Sequence, residues 1–222
     1  MNKLTDLYAV YGASGFGREV MPLARAQLAN DLQTEDYTLV FIDDDACAGK
    51  SVNGHAAMTY SSFIDAPAKN KYAVIAIASS SVREQLALRC AQDGVRPFSI
   101  CASNSSRLDA NSIGEGAIFC SYSHVTSNAS IGKHFHANIY SYVAHDCVVG
   151  DFVTLAPGAK INGNVILEDG AYIGTGAIIK QGQPGKPVVI GRRAVVGMGA
   201  VVTKSVPPDT VVIGNPARPL AG

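Results

Sequence analysis

Two hydrophobic rhythms divide the chain: helical and strand spacings up to residue 102, and one apolar residue in every six from residue 103. The run Leu7-Tyr8-Ala9-Val10-Tyr11 stops at glycine and predicts a strand. Val20, Leu23, Ala24 and Leu28 fall on one helical face, so residues 17–29 predict a helix. Thr38 to Ile42 predicts a second strand, which ends in Asp43-Asp44-Asp45. Lys71 to Ala78 predicts a third, buried strand. Ser79 to Ser81 can cap a helix from about Val82 to Gln92, and Gly94 ends it. Strand, helix, strand, strand, helix predicts a small, open, Rossmann-like parallel sheet of α/β type.

The second half reads differently. Ile113, Phe119, Val125, Ile131, Ala137, Val143, Val149, Leu155, Ile161, Leu167, Ile173 and Ile179 are spaced by six without a slip. The residue after each is often glycine, as at Gly114, Gly132, Gly150 and Gly174. The period resumes at Ile190, Val196 and Val202 after one break, and Ile213 follows another. Three hexads close a triangular coil of about eighteen residues, and stacked coils bury a continuous apolar core. The expected architecture is therefore an α/β domain over residues 1–102 and an all-β parallel β-helix over 103–222. The breaks at 180–189 and 203–212 hold four prolines and predict loops projecting from the prism.

Composition narrows the function. Lys and Arg number 18 and Asp and Glu number 18, which argues against nucleic acid or an anionic membrane as the main partner. The five cysteines, Cys47, Cys90, Cys101, Cys120 and Cys147, include no CxxC pair and read as small buried thiols of a reducing compartment. The N-terminal stretch MNKLTDLYAVYGASG lacks the long apolar segment of a leader, and no apolar run is long enough to span a bilayer. These features predict a cytoplasmic protein without membrane insertion.

Two motifs carry chemistry. His145 lies two positions after inward Val143, near a corner of the coil, where a side chain reaches the surface. Histidine titrates near neutrality and is a natural general base, and Asp146 beside it can hold the ring in one tautomer. The other motif is Gly12-Ala13-Ser14-Gly15-Phe16-Gly17, between the first strand and first helix. Bare amides at a helix N-terminus there favour a pyrophosphate. The spacing misses both G-x-G-x-x-G and the hydrolase elbow G-x-S-x-G.

The hexads, closed by Gly214-Asn215-Pro216-Ala217-Arg218, resemble the hexapeptide-repeat acyltransferases. YGASGFG with a strand ending in IDDD resembles the PglD/NeuD-type sugar acetyltransferases in particular. The resemblance implies a left-handed β-helix and a homotrimer with acetyl-CoA, as co-substrate rather than bound cofactor, between neighbouring prisms. It implies a nucleotide-sugar site on the N-terminal domain, with Ser14, Gly15, Phe16, Asp43 and Asp44 at the substrate. His145 and Asp146 become the catalytic pair, Thr154, Gly163 and Thr175 acetyl-CoA contacts, and Asn138 a further substrate contact. A backbone N–H near Gly163 would stabilise the oxyanion. Close relatives place histidine where this chain has Phe16, and the bacillosamine branch places a second histidine where it has Thr154. The implied reaction is N-acetylation of a UDP- or dTDP-linked 4-amino-4,6-dideoxy sugar for a bacterial glycan. O-acetylation of sialic acid, a non-catalytic scaffold, and a γ-carbonic-anhydrase-like metalloenzyme remain alternatives. No histidine pair has the five-residue spacing of that last family, so no metal is expected, and His124, His134 and His136 read as surface or cleft residues.

Overall fold

A computed structural model describes residues 5–32, 37–45 and 49–220. Residues 1–4 of the N-terminal stretch and Cys47 lie outside the described residues. Two compact units divide the chain, Met1–Cys101 and Ala102–Gly222.

The first unit is a twisted sheet with β1 (Asp6–Tyr11) at its centre. A helix, α1 (Gly15–Leu32), leads to β2 (Tyr37–Ile42). The hairpin β3 (Ser51–Val52) and β4 (His55–Met58) follows, then α2 (Tyr60–Asp65), β5 (Lys71–Ile75), α3 (Ser80–Gln92) and β6 (Arg96–Pro97). The order is β3-β4-β2-β1-β5-β6, parallel except for the β3/β4 hairpin. Tyr11 pairs with Ile42 on one side and Ile75 on the other, so three strands end level beside the glycine turn. The third strand is shorter than its apolar run predicts: the Ala76 amide makes the last rung, to the Tyr11 carbonyl at 2.9 Å, where β1 itself ends. Strands β3, β4 and β6 and the six-residue α2 are too short to register as periodic patterns. As predicted, Ser79 caps α3, accepting the Val82 amide. The core comprises Leu7, Ala9, Tyr11, Ile42, Tyr60, Phe63 and Ile75 among others.

The second unit is a parallel β-helix of mostly two-residue strands on three flat faces. Val125 pairs with Val143, Val143 with Ile161, and Ile161 with Ile179, each eighteen residues on. These side chains are at most 1% exposed, so the six-residue rhythm is the core. A second rhythm of the same period sets the corners. Tyr122, Asn128, His134, Tyr140, Asp146 and Phe152 all adopt φ between 51° and 60°, the left-handed conformation that turns the chain between faces.

The two ends differ from the interior, although Ile113 keeps its register and pairs with Ile131. Ile113, first in the series, is 37% exposed. Arg107 closes that end, its guanidinium 5.3 Å from the Phe119 ring centre. At the other end the inward residue is Val212, 4% exposed, whereas Ile213 is 43% exposed. Val196 pairs with Val212 and Ile190 bridges to Val206, so this coil is two residues short instead of carrying a projecting loop. Arg218–Pro219 then folds back antiparallel on Val211–Ile213 and covers the last edge. Cys90, Cys120 and Cys147 are buried, but Cys101 is only half-buried.

Candidate active site

The corner at His145 is built by its neighbours in the stack. Val143 anchors the strand inside the prism, and Asp146, at φ 58°, reverses the chain so that both side chains emerge. The Asp146 amide donates to the Ser127 carbonyl one coil before, at 3.1 Å, and the His145 carbonyl accepts the Asn164 amide one coil after, at 3.0 Å. The side chains of His145 and Asp146 are each 49% exposed, with His145 Nδ1 2.7 Å from Asp146 Oδ2. That contact favours a proton on Nδ1 and leaves the lone pair on Nε2, the atom a general base uses. Gly163, eighteen residues on, supplies room for the ring. A Cβ there would lie 2.5 Å from His145 Cε1 and Nε2. Glycine at 163 is thus a condition for the observed ring position, a role that spacing alone did not reveal.

Cys147 does not join this pair. It is fully buried, its thiol faces the Asn162 carbonyl at 3.2 Å, and burial pushes it up to about 11. Asn138 spends its amide on the Leu155 carbonyl at 2.8 Å, stapling consecutive coils. Thr154 is 3% exposed, on a strand between His136 and Tyr172. That strand belongs to the eight-stranded face, whereas His145 lies at the corner joining the other two faces. Thr175, exposed, follows the eight-stranded face. A single protomer therefore gathers His145, Asp146 and Gly163 but does not bring Thr154 and Thr175 beside them.

Of the surface-or-cleft expectation for His134 and His136, the surface half is corrected. His134 is 7% exposed and stacks on Phe152 at 5.1 Å and 6°, and His136 is 0% exposed. Their corner and strand neighbours close over them, whereas His124 is exposed. Among the described residues, no group of three His, Cys, Asp or Glu is arranged to hold a metal.

In the N-terminal unit the glycine turn is shaped by contact. Gly12 adopts φ 105°, and a Cβ on Gly17 would lie 1.7 Å from the Gly12 carbonyl oxygen. The first turn of α1 therefore rests on bare backbone. Ser14 and Gly15 are exposed at the start of α1, with nothing within 4 Å of a Cβ on Gly15, and Phe16 is half-buried. Asp43 Oδ2 accepts the Ala13 amide at 3.2 Å and Oδ1 the Asp45 amide at 3.1 Å. Asp44 faces away from that turn. Its oxygens accept the Tyr60 amide at 2.7 Å and the Tyr11 hydroxyl at 2.8 Å. Both oxygens thus serve the fold, while the side chain, 44% exposed, keeps lone pairs open to solvent. Sequence reasoning also missed Arg83, fully buried, which donates to the carbonyls of Ile77 at 2.6 Å and Ala78 at 3.2 Å. Burial lowers its pKa to about 9, so it stays charged at neutral pH while it holds the loop after β5.

Comparison with known proteins gives these sites relatives. Residues 8–90 match the PglD N-terminal domain, and residues 146–181 match the bacterial transferase hexapeptide (six repeats). The chain is 49% identical over 186 residues to a GDP-perosamine N-acetyltransferase of Escherichia coli O157:H7, covering 84% of this chain and 83% of that protein. The structure of WeeI from Acinetobacter baumannii AYE superposes with a TM-score of 0.93 at 56% identity, covering 97% of this chain and all (100%) of that one. The acetyltransferase domain of PglB from Neisseria gonorrhoeae FA1090, in complex with acetyl coenzyme A, superposes with a TM-score of 0.85 at 27% identity, over 97% of this chain and 100% of that one.

Proposed function

Since the chain belongs to the PglD/NeuD-type sugar acetyltransferases, with their left-handed β-helix of hexapeptide repeats, we propose that it acetylates a nucleotide-linked 4-amino-4,6-dideoxy sugar from acetyl-CoA. The observation that carries the reading is the His145–Asp146 pair at 2.7 Å on an exposed corner, over the bare backbone of Gly163. The amine attacks the thioester carbonyl as His145 Nε2 takes its proton, while Asp146 steadies the imidazolium that forms. The tetrahedral oxyanion is met by a backbone N–H near Gly163, and coenzyme A leaves as the amide forms. Transfer is direct, since the buried, neutral Cys147 offers no thiolate.

The nucleotide sugar docks at the carboxyl edge of the N-terminal sheet, where open α/β sheets bind ligands. Ser14, Gly15 and Phe16 lie against the pyrophosphate, and Asp43 faces the nucleoside. Thr154 and Thr175 contact acetyl-CoA from a neighbouring protomer. Their separation from His145 within one chain supports a homotrimer in which two prisms complete each coenzyme site. Among the described residues no helix is long and apolar enough to cross a membrane. The proposed use of acetyl-CoA and a nucleotide sugar supports a cytoplasmic site of action. The relative named for GDP-perosamine widens the nucleotide choice beyond UDP and dTDP. A panel of GDP-, UDP- and dTDP-linked 4-amino sugars with free sialic acid, read by mass spectrometry, tests this reading. Gain of one acetyl group on a nucleotide amino sugar is expected; acetylation of sialic acid alone would replace it.

A further inference from the structure

Asp43 and Asp44 face opposite ways, and the hydrogen bonds they accept close a ring. From Tyr11 the backbone runs through Gly12 to Ala13, whose amide donates to Asp43 Oδ2 at 3.2 Å. Asp43 is bonded to Asp44, whose Oδ2 accepts the Tyr11 hydroxyl at 2.8 Å. The ring thus ties the end of β1 and the glycine turn to the end of β2. It is braced from below. The Tyr60 amide donates to Asp44 Oδ1 at 2.7 Å, and Arg89 Nη1 stands 3.9 Å from Oδ2 with its guanidinium 4.0 Å from the Tyr60 ring centre. The Tyr11 and Tyr60 rings stack at 5.6 Å and 18°.

We infer that Tyr11 is a positioning residue for nucleotide-sugar binding, its hydroxyl holding the glycine turn and the Asp43 turn in register through Asp44. This rests on the nucleotide-sugar reading of that edge. Tyr11 is 4% exposed, so its hydroxyl acts through Asp44 and touches no substrate. Packing explains the ring of Tyr11, which belongs to the core cluster, but not the hydroxyl, which a phenylalanine would lack at no loss of apolar contact. Burial and the Asp44 carboxylate hold the phenol well above its ordinary range, so it remains a donor at every working pH. Without that donor, the Asp44 side chain, 44% exposed, can turn to water and release the turn that Asp43 anchors.

The test is Tyr11→Phe in the full-length protein, which keeps the stacked ring. KM for the nucleotide sugar should rise roughly tenfold, the order of one hydrogen bond to a charged group. kcat and KM for acetyl-CoA should hold within about twofold, and hydrogen exchange at the Ala13 amide should accelerate. A purely structural role would lower the melting temperature and leave both KM values alone. The pathway through Asp44 is tested by the double variant, since Tyr11→Phe should add little in an Asp44→Ala background. Unchanged KM and Ala13 exchange in an active Tyr11→Phe enzyme, or full additivity with Asp44→Ala, would overturn the inference alone. A wild-type protein that acetylates no nucleotide sugar would instead overturn the functional reading and, with it, this role.

Discussion

At the scale of single residues, the left-handed corner makes His145 and Asp146 a pair. Adjacent side chains on a flat strand point to opposite faces, whereas Asp146 at φ 58° folds its carboxylate back onto the ring. His145→Asn should lower kcat roughly 10²–10⁴-fold, with little change in either KM, because a base acts in the transition state. Steady-state kinetics on the purified variant decide it, and near-normal turnover removes His145 from the mechanism. Cys147 yields a prediction of opposite sense. Its thiol is held up to about 11 by burial, so alkylation at neutral pH should miss it, as peptide mass spectrometry can read. The same shift bears on stability. The unfolded thiol loses its proton near its ordinary 9.0 and the folded one near 11, so this contribution is full below the first and lost through the second. Rapid labelling of Cys147 in the native protein at pH 7 would reopen an acyl-cysteine route.

Elements are where periodic patterns were most legible and short ones least. The twelve-member hexad series places every inward residue from Phe119 to Ile179 correctly, because a triangular coil repeats one burial decision on each face. It fails at the ends: Ile113 keeps its register yet is exposed in the first coil, and the coil that ends at Val212 is two residues short. Val212→Asp should therefore destabilise by several kcal/mol through an unpaired buried charge. Ile213→Asp, one residue on, should shift stability by about 0.5 kcal/mol or less. Thermal melts of the pair test the register, and equal loss in both would reverse it. For the N-terminal element, Ser14→Ala with Asp43→Ala should raise KM for the nucleotide sugar while KM for acetyl-CoA stays constant. Loss of coenzyme binding in that variant, seen by calorimetry, would move the coenzyme site into the N-terminal unit.

At the scale of the whole molecule, the question is assembly. Proposed contacts for one coenzyme stand on different sides of a single prism, and the proposed closed ring of three copies would join them without leaving an open face. Light scattering should give about 70 kDa, three times the 23.2 kDa chain. A 23.2 kDa monomer at working concentration would leave each coenzyme site half built.

What the sequence determined by itself was whatever repeats or is contiguous. The two grammars, the inward hexad positions, the Ser79 cap and the adjacency of His145 to Asp146 all follow from spacing along the chain, since local geometry turns fixed spacing into fixed direction. The tertiary structure alone decided what depends on close approach. Gly163 beneath His145 and Asp44 turned toward Tyr11 are contacts across a coil or between strands, whereas Gly17 against Gly12 and Arg83 on the Ile77 carbonyl are close approaches within a single turn or loop. The period stacks residue 163 on residue 145 but does not encode the need for a glycine there, and no period encodes the other contacts, because each is set by close packing in space.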